Sequence, residues 1–410
     1  MPDILVAGGG FAGLWAALTA AREVRDLGAS LRIALVSHDD FLTLRPRLYE
    51  AHPESLRAPM RPALDAMGVE FIKGDVSGVD PMAKELVITA DAAGEGTTPS
   101  KRRVQKRLAY KRLVLATGSV AKVPPVPGFA GNAFSIDDYA SALRLDAHLA
   151  RISRQPATVA DNTYAIIGAG FTGIELACEL RDRIAVHAGE EAAQRAQIIL
   201  LERADEVGPD LGPGPRPQIE QALAEARVEV RTGSNISALE PGLIRFAGGT
   251  ALPAGTVVLT AGQIPNIPPG LEHLPRDQVG RLQVGDDLRA AGAGDIFAAG
   301  DVAAAKVDDD HFALMSCQHA MPMGKHAGYN AAHDLLNAQL RAYRQPAYVT
   351  CLDLGRSGAV FTTGWERSVQ KTGQEAGVLK RTVNTKWIYP PAGSAGEIFD
   401  ASHIESRPGR

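Results

Sequence analysis

Two short runs carry the residues best suited to chemistry: "LVAGGGFAGLWAALTA" from Leu5 and "AIIGAGFTGIELACEL" from Ala165. Each reads as a short apolar strand, a Gly-x-Gly-x-x-Gly turn, and Ala, Leu and Ile at helical spacing. The glycines of such a turn have separate tasks. Gly8 and Gly168 let the chain reverse; Gly10 and Gly170, without a Cβ, let a pyrophosphate approach the backbone; Gly13 and Gly173 let helix and strand pack closely. The phosphates then face a helix N-terminus, where unpaired N–H groups and the helix dipole favour negative charge. One such turn is a weak signal, but two, each between a strand and a helix, predict two dinucleotide sites in one chain.

The elements that must hold these turns follow from the rest of the chain. At 410 residues it exceeds one ordinary core, so two or three domains are expected. A hydrophobic fraction of 45% with 22% charged residues is that of a globular protein, and the net charge of −4 argues against nucleic acid as a partner. The first unit runs through a strand at 3–7, a helix at about 12–27 and the strand "LRIALVS". Next come "FLTLRPRLYEA", a helix near 60–67 and the strand "VEFIKGDVSGVD". A more polar section reads as an antiparallel excursion with a turn in "AAGEGTTPS", and "VPPVPG" as a linker. A helix at about 137–153 leads into the second unit, a helix is expected at about 318–338, and a hairpin, "YVTCLDLGRSGAVFTTG", follows Pro346. No run of 18 apolar residues exists, so no transmembrane helix is expected; Asp3 and the early glycines argue against a signal peptide.

Two further stretches, "LVLATGS" at 113–119 and "DIFAAGDVA" at 295–303, join the two turns in a pattern that resembles flavoproteins with two dinucleotide-binding domains, of the pyridine-nucleotide-disulfide reductase type. The resemblance implies an α/β fold of two Rossmann-like domains, with the NAD domain inserted in the FAD domain, and a small C-terminal α+β domain. The corresponding boundaries are 1–125 and 265–340 for the two parts of the FAD-binding domain, 126–264 for the NAD(P)H-binding domain and 341–410 for the C-terminal domain. It implies that Gly8, Gly10, Phe11, Ala12 and Gly13 hold the FAD pyrophosphate, that Ala116, Thr117 and Gly118 mark the return to the FAD domain, and that Gly300 and Asp301 face the ribityl chain. Ser37 and His38, with Val76, complete the FAD set. Gly168, Gly170, Phe171, Thr172, Gly173, Glu202, Ala261 and Gly262 are assigned to the nicotinamide dinucleotide.

Within that group the chain is most similar to type II NADH dehydrogenases, through "FLTLRPRLYEA" and "CQHAMPMGKHAGYNAA". The expected enzyme is an FAD-dependent NADH dehydrogenase passing hydride from NADH to flavin and electrons on to a quinone-like acceptor, with Glu175 and Gln318 as catalytic residues. Two departures stand out. Ser37 occupies the place of the usual ribose-binding acid, and Pro322 that of the second of two glutamines. One alternative is an NAD(P)H reductase of a small iron–sulfur protein of the ferredoxin or rubredoxin type; another is a slow flavin-binding sensor or interaction protein.

The remaining candidates are weighed on their residue types. Glu202 ends the strand "IILLE", where a carboxylate accepts from the ribose 2′-OH of NADH, while the adjoining Arg203 admits NADPH. Glu175 either positions the nicotinamide or complements the helix dipole. Cys178, Cys317 and Cys351 form no CxxC, which fits a reducing compartment and no redox pair. His319, His326 and His333 recur every seven residues, wrong for ligands one turn apart, and no metal is expected. The basic segment 101–112, which includes "KRRVQKR", reads as a solvated face, with docking to an acidic protein or an anionic membrane surface as alternatives. Trp387 and Tyr389 in "KWIYPP" read as a segment packing back on its domain. The expected location is the cytoplasm, with peripheral attachment to the inner face of the membrane as the alternative; the sequence leaves the oligomeric state open and admits a homodimer.

Overall fold

The computed structural model describes residues 1–91, 103–152 and 158–406. Strand β1 (Ile4–Ala7) is buried along its whole length and feeds through the first glycine turn into α1 (Phe11–Asp26). Uniformly apolar strands suit a parallel sheet covered on both faces. Strands β2 (Ile33–Ser37) and β3 (Glu70–Lys73) pair parallel to one side of β1, with Ile4 opposite Ile33 and Ala34 opposite Glu70. The run "VEFIKGDVSGVD" is not one strand. It breaks at Gly74, so that β3 serves the parallel sheet while β4 (Asp75–Asp80) joins β5 (Glu85–Asp91) and β6 (Arg103–Ala109) in the antiparallel excursion. The turn "AAGEGTTPS" lies outside the described residues.

Strand β7 (Arg112–Leu115) returns to the parallel sheet beside β1, and β8 (Ser119–Ala121) leaves it for the second unit. There β9 (Phe134–Ser135), α2 (Tyr139–Ile152), β10 (Thr163–Ile167), α3 (Phe171–Ala188), β11 (Gln197–Leu201), β12 (Val228–Arg231) and β13 (Thr256–Leu259) build a second parallel sheet in the order β9-β13-β10-β11-β12. The chain crosses back on β14 (Gln263–Pro265), which pairs antiparallel with β8, Val120 opposite Ile264. The first sheet is completed by β15 (Ile296–Ala298), giving the order β15-β7-β1-β2-β3. One nucleotide unit is thus inserted in the other, joined by a two-strand connection.

Helix α4 (Cys317–Leu335) lies across α1. Gly324 and Gly328 allow this: a Cβ at either would stand 2.2 or 2.1 Å from the carbonyl oxygens of Ala12 and Ala16. Pro322 sits inside α4 and cannot donate to the Gln318 carbonyl, and the Gln345 side-chain amide takes that place at 3.1 Å. The C-terminal part forms an antiparallel sheet of β16 (Val349–Asp353), β17 (Ala359–Thr363) and β18 (Ser368–Thr372), followed by α5 (Gly373–Thr382). Helix α6 (Ala395–Ala401) returns to the first unit, where Thr19 donates to the Ser402 carbonyl and Arg22 to that of Phe399. Among the described residues, no helix is long and apolar enough to cross a membrane.

Candidate active site

The two glycine turns are built alike. At the first, Gly8 has φ +115 and Gly13 lies so close that a Cβ there would meet the Gly8 carbonyl oxygen at 1.7 Å; at the second, Gly168 has φ +106 and the matching distance from Gly173 is 1.8 Å. Both are close approaches that tolerate no side chain. Gly10 and Gly170 differ in kind, because a Cβ at either meets nothing within 4 Å. They cap the N-termini of α1 and α3, whose first turns carry no acidic residue. Open space before a bare helix N-terminus is what a pyrophosphate needs.

A single cavity of ≈ 2130 Å³ joins the two turns. Its walls include Gly10, Phe11, Ala12, Ala116, Gly118, Gly300 and Asp301 from the first unit, and Gly168, Gly170, Phe171, Thr172, Glu175, Glu202, Ala261 and Gly262 from the second; Gln318 lies where the cavity meets α4. Gly8, Gly13, Thr117 and Gly173 stand outside the wall and shape the turns. Ser37, His38 and Val76 are not brought to it either. Ser37 is buried under the first turn, 2.5 Å from where a Gly9 Cβ would be, His38 bonds Asp39 at the surface, and Val76 packs on the core from the antiparallel excursion.

The half-buried Asp301 carboxyl is raised by desolvation, an effect opposed by the Ser119 hydroxyl, which donates to it at 2.6 Å. Ser119 opens β8, and its hydroxyl also lies 3.0 Å from the Gln263 side chain at the start of β14, so this carboxylate is tied to both connecting strands. Arg45 adds an ion pair to Asp137 at 2.7 Å, bridging the two units across the cavity. These features fit an FAD along the first turn: an open cradle at Gly10, a half-buried carboxylate at Asp301 in the cavity wall, and space continuing to α4. The second turn fits NADH by the same test, and Glu202 stands in the cavity wall, accepting from the backbone N–H groups of Ala169 at 2.7 Å and Ala204 at 2.9 Å.

Glu175 is buried and accepts from the Lys380 ammonium at 2.7 Å and from the Asp353 N–H at 3.1 Å. Burial pushes the Glu175 carboxyl up, and Lys380 pulls it back; burial opposes charge on Lys380, but Glu175 outweighs it and holds the ammonium above its ordinary value. Lys380 also donates to the Cys351 carbonyl at 3.0 Å. Tyr49, from "FLTLRPRLYEA", donates to the Asp353 carboxylate at 3.0 Å. Lys380, Tyr49, Arg45 and Asp137 were not singled out from the sequence. Lys380 had a signal: it shares the buried face of α5 with Ala376 and Gly377, and a lysine on an apolar stripe asks for a partner.

Gln318 is already occupied. Its amide donates to the Val349 carbonyl at 2.9 Å and accepts from the Val349 N–H at 3.1 Å, fastening α4 to β16. Cys317 and Cys351 line the cavity, each thiol pushed up to about 11 by burial, and Cys178 is pushed up to about 12. The three histidines of α4 go to separate surroundings: His319 to Gln345, His326 to the Pro322 carbonyl and His333 to Glu23. In the basic segment, Arg103 pairs with Asp75, Arg107 with Glu85, Lys111 with Asp3 and Arg112 with Asp295, so these charges are spent within the fold; Lys101 and Arg102 lie outside the described residues. Trp387 lines the cavity, and the Tyr389 hydroxyl accepts from Arg47.

Comparison with known proteins agrees with this geometry. The family described as pyridine nucleotide-disulphide oxidoreductase matches residues 2–324. An NADH dehydrogenase-like protein of Mycobacterium tuberculosis is 41% identical, covering 100% of both chains. A type II NADH:quinone oxidoreductase of Staphylococcus epidermidis is 26% identical over 95% of this chain and 96% of its own. The solved structure of NDH2 from Plasmodium falciparum in complex with NADH superposes with a TM-score of 0.75 at 13% identity, covering 98% of each chain, and so shares the fold.

Proposed function

This chain belongs to the pyridine nucleotide-disulphide oxidoreductase family and is an FAD-dependent NADH oxidoreductase, and from that premise we propose that its electron acceptor is a quinone. The observation that carries the proposal is the buried Glu175–Lys380 pair in the wall of a cavity that also holds both glycine turns. A quinone takes up two protons with its two electrons, and this pair is a proton-holding device in a cavity wall that also includes the apolar side chains of Met321, Val383, Trp387 and Ile388. A type II NADH:quinone oxidoreductase among the relatives supports the same acceptor class.

The bound flavin supplies the capacity to accept a hydride and to store two electrons. The chain supplies position and charge. In this proposal Gly10 and the α1 N-terminus receive the FAD pyrophosphate, and Asp301 accepts from the ribityl chain. Gly170 and the α3 N-terminus receive the NADH pyrophosphate, and Glu202 accepts from its ribose. Lys380 holds a proton at Nζ, kept in place by Glu175 Oε1 and the Cys351 carbonyl. Gln318, whose amide is committed to Val349, acts as a strut that sets the cavity wall. Arg103, Arg107, Lys111 and Arg112 are paired internally, which leaves Lys106 as the one unpaired cation among the described residues of that segment and favours a small acceptor over an acidic protein docked there.

The test is an anaerobic double-mixing experiment on the FAD-loaded protein: NADH first, a soluble quinone second, with the oxidised-flavin absorbance followed throughout. Fast bleaching and then fast recovery are expected. Bleaching that no quinone reverses would overturn the acceptor assignment and leave NADH oxidation standing.

A further inference from the structure

Helix α4 presents one side to the cavity: Gln318, Met321, Pro322, Lys325 and His326 recur at helical spacing and all line it. From Gln318 to His326 this side rises about 12 Å. At its start, Cys317 lies within electrostatic reach of the Lys380 ammonium. At its far end, the His326 ring meets Tyr343 edge to face, with ring centres 5.3 Å apart, and lies within reach of the charges of Lys325, Arg341 and Glu405.

The charged groups around that far end are spent. Lys325 donates to the carbonyl oxygens of Ala401, His403 and Ser406 at 2.8, 3.2 and 2.8 Å, Arg341 pairs with Glu405 at 2.8 Å, and Arg344 pairs with Asp286 at 2.9 Å. His326 is different, because it uses only Nδ1, which meets the Pro322 carbonyl at 2.9 Å. A carbonyl can only accept, so Nδ1 carries the proton and Nε2 offers a lone pair. Burial holds the imidazole below its ordinary value, which leaves it neutral at pH 7. Among the described residues Nε2 has no hydrogen-bond partner, and it is not sealed from solvent. Between Gln318 and His326 the helix offers the cavity Met321 and Pro322, which give a ligand no polar group to bond. A hydrocarbon chain laid along this side would leave Nε2 desolvated and unpaired, whereas a chain ending in a hydroxyl would donate to it.

We infer that the acceptor is a quinone with a short side chain ending in a hydrogen-bond donor, laid along α4 so that the donor meets His326 Nε2. The inference rests on the quinone reading above and narrows it: Lys380 serves the ring, and His326 selects the chain.

The experiment uses the FAD-loaded enzyme, menadione, and two series of menadione derivatives carrying ω-hydroxyalkyl chains or alkyl chains of matching length, about two to six carbons to cover the rise along α4. Reoxidation of the NADH-reduced flavin gives kcat/KM for each compound. Quenching of tryptophan fluorescence by the oxidised compounds, with Trp387 in the cavity wall, gives Kd without turnover. At the best length the hydroxyalkyl compound should exceed its alkyl counterpart about fivefold or more in both measures. His326→Leu should bring that ratio to about one or below, because an apolar wall gains nothing from a hydroxyl. His326→Phe keeps a ring against Tyr343, should act likewise, and decides the matter if the leucine variant does not fold. An unaltered enzyme that favours the alkyl series, or a hydroxyalkyl preference that survives loss of the imidazole, would overturn the inference. Failure of menadione and of both series to reoxidise the flavin would instead remove the quinone reading on which the inference rests.

Discussion

Lys380→Met removes the ammonium that Glu175 meets at 2.7 Å while keeping much of the side chain's volume, so its effect is chiefly electrostatic. Glu175 then has two options. It can stay ionised without its cation, which costs about 3–5 kcal/mol at a buried site. It can instead take a proton, which at pH 7 means about 2.5 pH units above its ordinary 4.5, or about 3.4 kcal/mol at 1.36 kcal/mol per unit. The loss at pH 7 is therefore about 3 kcal/mol, and protonation at pH 5 reduces it to about 0.7 kcal/mol. The sign follows from linkage. Burial raises Glu175 above its unfolded value, so between the two values the folded state binds more protons than the unfolded state, and stability falls as pH rises through that window. Urea unfolding of the FAD-loaded protein, followed by tryptophan fluorescence at pH 5 and pH 7, should show the variant's deficit growing by roughly 2–3 kcal/mol between them. Adding Glu175→Gln removes the titrating group and should abolish the growth. A deficit equal at both pH values, or one left pH-dependent in the double variant, would refute the electrostatic account and leave packing and the Cys351 carbonyl bond as Lys380's contribution.

Gly170→Ala should fold with a stability change within about 0.5 kcal/mol, because its methyl meets nothing within 4 Å, yet raise KM for NADH about tenfold or more while flavin stays stoichiometric. Gly173→Ala should instead lose the fold of the second unit, since its methyl would stand 1.8 Å from the Gly168 carbonyl oxygen; circular dichroism and flavin content separate the two outcomes. Glu202→Gln replaces one carboxylate oxygen, now accepting from a backbone N–H, with a donor. The ratio of kcat/KM for NADH over NADPH should fall about fivefold or more, and an unchanged ratio would exclude Glu202 from cofactor choice.

The nucleotide turns were legible in the sequence because a Gly-x-Gly-x-x-Gly turn is a local device: its backbone angles, its helix N-terminus and its tight strand–helix packing all lie within about a dozen residues. The insertion of one unit in the other was legible from chain order, through "LVLATGS" and "DIFAAGDVA". Glu175 was singled out by its place just after a turn. Its partner was not, because Lys380 is brought across on α5, 205 residues away in the chain, and meets Glu175 only when the C-terminal part docks on α3. Gln318 shows the converse. The resemblance implied a group facing an acceptor, whereas the fold gives its amide to Val349. Arg103 and Arg107 of the basic segment likewise looked free in one dimension and are paired in three, since β6 lies beside β5 and within reach of β4, which carry the opposing carboxylates. Periodicity and turn chemistry therefore determined the two nucleotide units. The tertiary structure alone decided which charges are neutralised, which polar side chains are committed, and which face the cavity, because those outcomes depend on contacts between segments far apart in the chain.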